Sequence, residues 1–354
     1  MANLLLLKNL QKNWKIKMLF VKAKLYDGLA FFKHTTLKKI INFFKIRCSF
    51  YFSLIFKRAF VWGFPYSISI EPTSICNLHC VECPTGLNTL TRQSGNMDFH
   101  TFQRIVDELQ QQLLFINLYF QGEPFLNPSL FDFINYASKK NIYTSTSTNG
   151  HYLSKLNSEN IIKSHLDKII ISMDGTDQET YATYRKGGKL NLVIEGIKNL
   201  VEAKIASKSV KPYIIVQFLV LKTNEHQLLE MKKLAKEIGV DELQFKTAQL
   251  YDFAKGNCLI PNNDKYTRYK KEINGNWILK KAISNKCYKM WHSCVITWNG
   301  DLVPCCFDKN ANFKFGNIIE KPINRIWKSN EYKNYRTTIL KNRRSISICR
   351  NCSE

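Results

Sequence analysis

Apolar and polar positions alternate along this chain with two different periods. Short, mostly apolar runs at Tyr66–Ile70, Leu113–Phe120, Ile142–Ser147, Lys168–Met173, Tyr213–Leu221 and Leu243–Lys246 predict strands. Between them, Phe102–Leu109, Leu130–Ser138, Leu190–Glu202 and His226–Ile238 place apolar residues three and four apart, which predicts amphipathic helices. Asp98 stands where the first of these helices needs an N-cap. Six strands alternating with helices across residues 63–275 argue for an α/β architecture of parallel βα units.

Two flanking regions have a different texture. Residues 1–62 are basic, aromatic-rich and helical in pattern, and Leu37–Lys45 alternates Lys with Ile and Phe at helical spacing. That pattern fits helices packed on the main domain with a solvated Lys face, or an amphipathic region lying on a membrane surface. Residues 276–354 are dense in Trp, Cys, Gly and Asn, with Gly300-Asp301 reading as a tight hairpin turn. So small a domain needs a staple, and its cysteines can supply one.

Charge sharpens the picture of the first region. The formal net charge is +24, and residues 1–60 hold thirteen Lys and Arg against one acid, Asp27. Such a balance favours anionic partners: nucleic acid, acidic lipid head groups or an acidic peptide. No nucleic-acid-binding motif is recognisable in the basic region, which sets a nucleic-acid partner behind the others. No charge-free stretch of about 18 apolar residues occurs, so a spanning helix is not expected. The Leu4–Leu7 run lacks a following cleavage-type signal. The expected location is the cytoplasm, with peripheral attachment to the inner face of the membrane if the amphipathic reading holds.

Eleven cysteines in a chain of this type point to metal rather than disulfides. Three of them, in Cys76-Asn77-Leu78-His79-Cys80-Val81-Glu82-Cys83, follow the first strand. Thiolates are soft anionic ligands suited to iron–sulfur clusters or zinc. A structural zinc site or an electron-transfer cluster would want a fourth local ligand, and the local cysteine count stops at three. His79 is the alternative fourth ligand, although its place between the first two cysteines makes simultaneous ligation awkward.

This loop resembles the Cys-x3-Cys-x2-Cys motif of the radical SAM superfamily. The resemblance implies a partial (β/α)6 TIM-type barrel and a [4Fe–4S] cluster on Cys76, Cys80 and Cys83. It also implies S-adenosylmethionine on the open iron, cleaved reductively to a 5′-deoxyadenosyl radical that abstracts a substrate hydrogen. Other segments at strand ends fit the family. Gln121-Gly122-Glu123-Pro124 is similar to its Gly-Gly-Glu-Pro motif, which holds the cofactor amino group, so Gly122, Glu123 and Pro124 are candidates. Ser147 and Asn149, in Ser147-Thr148-Asn149-Gly150, suit ribose hydroxyls. Ser172-Met173-Asp174-Gly175 resembles the family's Ser-x-Asp-Gly, making Ser172 and Asp174 candidates, with Asp174 alternatively a turn cap. Arg185 is a candidate partner for the cofactor carboxylate. Asn224 reads as a helix cap. Glu82 stands where many members carry an aromatic residue against the adenine. In barrels of this kind the C-terminal strand ends are where active sites gather.

The C-terminal cysteines resemble a SPASM domain. By that resemblance Cys287, Cys305, Cys349 and Cys352 hold one auxiliary [4Fe–4S] cluster. A structural zinc on the same thiolates is the rival, and spacing alone does not separate the two. Cys294 reads as a small apolar residue on a strand. In anaerobic sulfatase maturases the position of Cys306 is a catalytic aspartate. Here the nearest acid is Asp308, which speaks against the same alcohol oxidation, and Cys306 is a hydrogen-atom donor or a buried inert thiol. No catalytic base is assigned.

The resemblance thus implies an enzyme acting on a peptide, protein side chain or small metabolite, fed by an electron donor such as flavodoxin or ferredoxin. The alternatives are an iron–sulfur electron-transfer or accessory protein without its own turnover, and a nucleic-acid-associated modifying enzyme.

Overall fold

A computed structural model describes residues 14–352. Lys8, Lys12 and the Leu4–Leu7 run of the basic extension lie outside the described residues. In chain order the main elements are α1 (Trp14–Gly28), α2 (Leu37–Phe56), β1 (Ser67–Ile70), α3 (Phe99–Leu109), β2 (Phe115–Asn117), α4 (Leu130–Lys139) and β3 (Tyr143–Thr148). There follow α5 (Lys155–Lys163), β4 (Lys168–Ser172), α6 (Gln178–Tyr184), α7 (Leu190–Ala206), β5 (Tyr213–Val220), α8 (Leu228–Ile238) and β6 (Glu242–Thr247). A short pair β7 (Tyr269–Lys271) and β8 (Trp277–Leu279) comes next, then β9 (Ser293–Ile296), β10 (Leu302–Val303), α9 (Ile323–Trp327) and α10 (Asn330–Asn342). The fold is α/β with a mostly parallel sheet, a helical N-terminus and a cysteine-rich C-terminal region.

Local chemistry sets the boundaries. The Asp98 carboxylate accepts from the Thr101 N–H at 2.8 Å and starts α3, as its sequence position predicts. Gly239, at φ 77°, ends α8 in the left-handed conformation that glycine adopts without a Cβ penalty.

The chain forms two compact units. One consists of Cys76–Leu87 and Ser145–Lys280 with the described residues up to Ala30. Its strands run in the order β3-β4-β5-β6, all parallel. β5 reads YIIVQFLV and is buried at nearly every position, as a strand covered on both faces must be. The amino-terminal helix α1 is fastened to this unit: Ala23 packs on Tyr213 and Ile215, and Asp27 pairs with Lys168 at 2.9 Å.

The other unit consists of Phe31–Ile75, Asn88–Thr144 and the chain from Lys281. Its strand order is β10-β9-β1-β2. The hairpin predicted at Gly300-Asp301 forms, with Gly300 at φ 86° and Ile296 opposite Leu302. Its first strand, β9, lies parallel to β1 in the register Ser67 to Ser293. That pairing was invisible in sequence because more than two hundred residues separate its partners. In the core of this unit Ile46 and Phe50 of α2 pack with Trp291, Ile339 and Leu340. The buried carboxylate of Glu71 is gripped by both terminal nitrogens of Arg92, with Arg92 Nη1 at 2.7 Å from Oε2.

Candidate active site

Backbone bonds tie the loop from Cys76 to Cys83 to the end of α6 and the turn after it. His79 N donates to Lys186 O at 3.0 Å and Val81 N to Tyr184 O at 3.2 Å. A Cβ on Gly86 would lie 2.5 Å from Cys80 N, so only glycine lets the returning chain approach the loop this closely. Cys80 is buried, Cys76 and Cys83 are half-buried, and none of the three is in a disulfide. His79 Nδ1 lies 3.2 Å from Gly86 O, so that nitrogen is engaged by the loop itself.

Two polar side chains, Arg185 and Asn149, reach this loop, and each is held by a further side chain. Arg185 places Nη1 3.7 Å from Cys80 Sγ and gives Nε to Asp174 at 2.6 Å. Asp174 also accepts from Leu219 N at 2.6 Å, so it fixes the guanidinium and does not cap the next turn. Burial pushes the Cys80 thiol up, and the Arg185 charge beside it pulls back towards the thiolate. Asn149 donates to Asn77 Oδ1 at 2.8 Å and comes within 4.0 Å of Cys76 Sγ. His151 supports it: Nε2 accepts from Lys189 N at 2.8 Å, which leaves Nδ1 to donate to Asn149 Oδ1 at 3.0 Å. Asn224 stands at the N-cap of the 3-10 turn Glu225–Gln227, as its sequence position predicts, but its side chain makes no capping bond. Its amide donates to Asp174 O at 3.0 Å and accepts from Leu221 N at 2.7 Å, tying β5 to the turn after β4.

Ser147 and Ser172 are half-exposed near the carboxyl ends of β3 and β4. The register extends this polar surface to residues that sequence reasoning missed. Ser172 stands beside Gln217 of β5, and Gln217 beside Gln244 of β6, each half-exposed. The signal was present in the sequence, since Gln217 interrupts an otherwise apolar run. Glu82 faces away from an aromatic role: its carboxylate accepts from Tyr251 N at 3.0 Å and from the Asn257 amide at 3.3 Å.

In the other unit, Gly122 has φ 72°, and a Cβ there would lie 2.4 Å from Thr73 O. Glu123 N donates to Ile75 O at 2.8 Å, immediately before Cys76 in the chain. Glu123 is buried, and its carboxylate accepts from Phe125 N at 3.3 Å across the 3-10 turn that Pro124 begins.

The thiols of Cys287, Cys305, Cys349 and Cys352 are all buried and free of disulfides. Burial pushes Cys287 up to about 11, and Cys349 and Cys352 beside it add to the rise. Cys305 and Cys349 are raised by burial, each with another thiol of the group adding to the effect. Among these thiols lies Arg343, 1% exposed, with Nη2 3.0 Å from Cys352 Sγ. A buried guanidinium needs anionic neighbours, and thiolates committed to a metal group provide them. Sequence gave no sign of Arg343, which lies in a run of basic residues like any other. Cys294 stands apart on β9, fully buried and pushed up to about 12 by burial. Cys306 is half-exposed rather than buried, with Lys289 Nζ 3.6 Å away. Asp308 is buried and accepts from Asn312 N and Phe313 N, a structural role. Among the described residues no three His, Cys, Asp or Glu side chains stand in the close array a single metal ion requires.

Residues 70–235 match the radical SAM superfamily, and residues 287–353 match the SPASM iron–sulfur cluster-binding domain, which favours iron–sulfur over zinc at the second set. A tungsten-containing aldehyde ferredoxin oxidoreductase cofactor-modifying protein from Pyrococcus furiosus is 27% identical over 293 residues, covering 75% of this chain and 82% of the relative. Mycofactocin maturase MftC from Mycobacterium ulcerans is 25% identical over 289 residues, covering 75% of each chain. Among solved structures, Streptococcus suis SuiB bound to S-adenosylmethionine superposes with a TM-score of 0.61 at 18% identity, over 82% of this chain and 73% of SuiB. SuiB bound to its precursor peptide SuiA gives 0.59 at 17% identity, over 78% of this chain and 67% of SuiB. This chain thus carries a radical SAM domain followed by a SPASM iron–sulfur cluster-binding domain.

Proposed function

We propose that this chain is a peptide-modifying radical SAM enzyme, with the core in residues 63–275 and the auxiliary domain in residues 276–354. These domains imply a [4Fe–4S] cluster, S-adenosylmethionine and auxiliary iron–sulfur chemistry. The first cluster, when bound, supplies the electron that cleaves the cofactor to the 5′-deoxyadenosyl radical. Cys76, Cys80 and Cys83 would hold it.

The observation that carries the reading is the setting of those thiols. Arg185 faces Cys80, Asn149 faces Cys76, and a polar row begins at Ser172. A fixed cation beside a thiolate favours the ligating form without a proton to move. Ser147, Asn149, Ser172 and Gln217 offer donors and acceptors for ribose and carboxylate groups. Gly122, Glu123 and Pro124 offer a carbonyl edge and an acid for the ammonium. Cys287, Cys305, Cys349 and Cys352, with Arg343 among them, would hold one auxiliary cluster. Peptide as the substrate class is supported by the maturase relatives and by the peptide-bound SuiB structure. An electron donor of the flavodoxin or ferredoxin class would complete the system.

The test is anaerobic reconstitution with iron and sulfide, followed by dithionite and S-adenosylmethionine. The intact chain should release 5′-deoxyadenosine, and Cys80→Ala should release none. A fully loaded intact chain that releases none overturns the enzyme reading.

A further inference from the structure

Helix α2 is built inside out. Its buried residues are Lys39, Asn42, Ile46, Ser49, Phe50 and Ser53, four of them polar. Each polar group on this face is satisfied. Lys39 Nζ donates to His34 O at 3.0 Å and Asn141 O at 2.7 Å. Asn42 exchanges two 2.9 Å bonds with the backbone of Phe64. Ser49 donates to Ile46 O at 3.0 Å, and Ser53 accepts from Phe60 N at 2.9 Å.

The opposite face is apolar and open to solvent. Leu37, Ile40, Ile41, Phe44, Tyr51, Phe52, Ile55 and Phe56 are all exposed, with Ile55 at 72% and Phe44 at 59%. At about 100° per residue, all but Phe56 fall in one arc of about 120°, centred opposite the buried face. Phe52, Phe56, Phe60 and Trp62 continue it as an aromatic cluster, with Phe52 and Trp62 centroids 5.0 Å apart. Lys38 and Lys45 border the arc on one side and Arg47 on the other, with Lys57 and Arg58 beyond the end. The helix contains no acid.

We propose that this face of α2 seats the protein on an anionic lipid bilayer, lying in the head-group layer parallel to the surface. An apolar stripe flanked on both sides by cations matches that boundary: hydrocarbon below, phosphate and serine head groups level with the lysines. Aromatic side chains favour the same depth. The helix spans 20 residues, about 30 Å, yet among the described residues no helix is long and apolar enough to cross a membrane. Charge selects this occupant over a second copy of the chain, which would set the same cationic borders against each other.

The inference is independent of the radical chemistry, and so is its test. Full-length reconstituted protein is floated with phosphatidylcholine vesicles, and with vesicles containing about one third phosphatidylserine. The expected result is partitioning at least tenfold stronger on the anionic vesicles, weakened by 0.5 M salt. Phe44→Glu and Ile55→Glu should each cut it by tenfold or more, with circular dichroism and 5′-deoxyadenosine release unchanged, since both side chains point into solvent. Lys38→Glu with Lys45→Glu should cost about fivefold per charge. Equal binding to neutral vesicles, no flotation, or flotation untouched by Phe44→Glu would each overturn the proposal. So would light scattering showing a dimer that Phe44→Glu converts to monomer. Deleting residues 1–60 is not an equivalent test, because Ile46 and Phe50 belong to the core.

Discussion

At the scale of single residues, Arg185 is the position where structure and chemistry meet most closely. Its Nε is spent on Asp174, and Asp174 is in turn held by Leu219 N. The guanidinium is thereby fixed with Nη1 towards Cys80 Sγ. Lysine keeps the charge and loses the fork, so it cannot serve both partners from one plane. Arg185→Lys should therefore leave the iron content intact while 5′-deoxyadenosine release falls about tenfold, the usual scale for a disturbed neighbour of a metal ligand. Iron assay and product quantification on the same preparation check this, and an equal fall in both would mean that Arg185 holds the loop rather than the cofactor. The three cysteines were legible in sequence because their spacing is local. Arg343 and the Glu71–Arg92 pair were not, because nothing near them in the chain marks Arg343 or Glu71 as a buried charge.

At the scale of elements, the strands were legible and the face of α2 was not. β5 announces itself by an apolar run, and its one interruption, Gln217, falls on the polar row. In α2, Ile and Phe occur on every side, so periodicity could not say which side enters the core. The answer came from Asn42, Ser49 and Ser53, whose partners lie in the loop that follows and in the helix itself. Lys39 is the costly member of this face. Burial lowers its pKa from 10.5 to about 8. Between those values the unfolded chain holds a proton that the folded chain has released, so stability from this group rises with pH through that window. Below pH 8 the penalty is at its full size and constant. Other groups titrate in the same range, and the comparison that isolates Lys39 is wild type against Lys39→Met. The stability difference should shift in favour of wild type by about 1–2 kcal/mol between pH 8 and 10.5, a figure reduced for solvent screening. Urea denaturation at several pH values measures it, and a difference that is flat with pH would show that Lys39 titrates normally.

At the scale of the whole molecule, the two thiol sets lie in different compact units and have different surroundings. Cys80 is buried in a hydrophobic cluster with Leu78, Tyr184 and Leu250, but Cys76 and Cys83 are only half-buried beside it, and the polar groups of Asn149 and Arg185 reach their loop. Cys287, Cys305 and Cys349 lie in a hydrophobic core with Trp291, Phe50 and Leu340. Removing the second set should therefore be felt as lost stability and the first as lost chemistry. Loaded wild type should bind about eight irons, as two four-iron clusters require. Cys287→Ala with Cys349→Ala should fall to about four, lower the melting temperature by roughly 5 °C or more, and retain 5′-deoxyadenosine release within a few-fold. Cys80→Ala should also fall to about four irons but melt close to wild type and release nothing. Iron assay, thermal denaturation and product analysis on both variants distinguish the cases. If the core variant loses product formation in proportion to its iron while Cys80→Ala loses stability, then the roles are reversed. The buried thiols around Arg343 would then be the seat of the chemistry, and the loop after β1 its structural support.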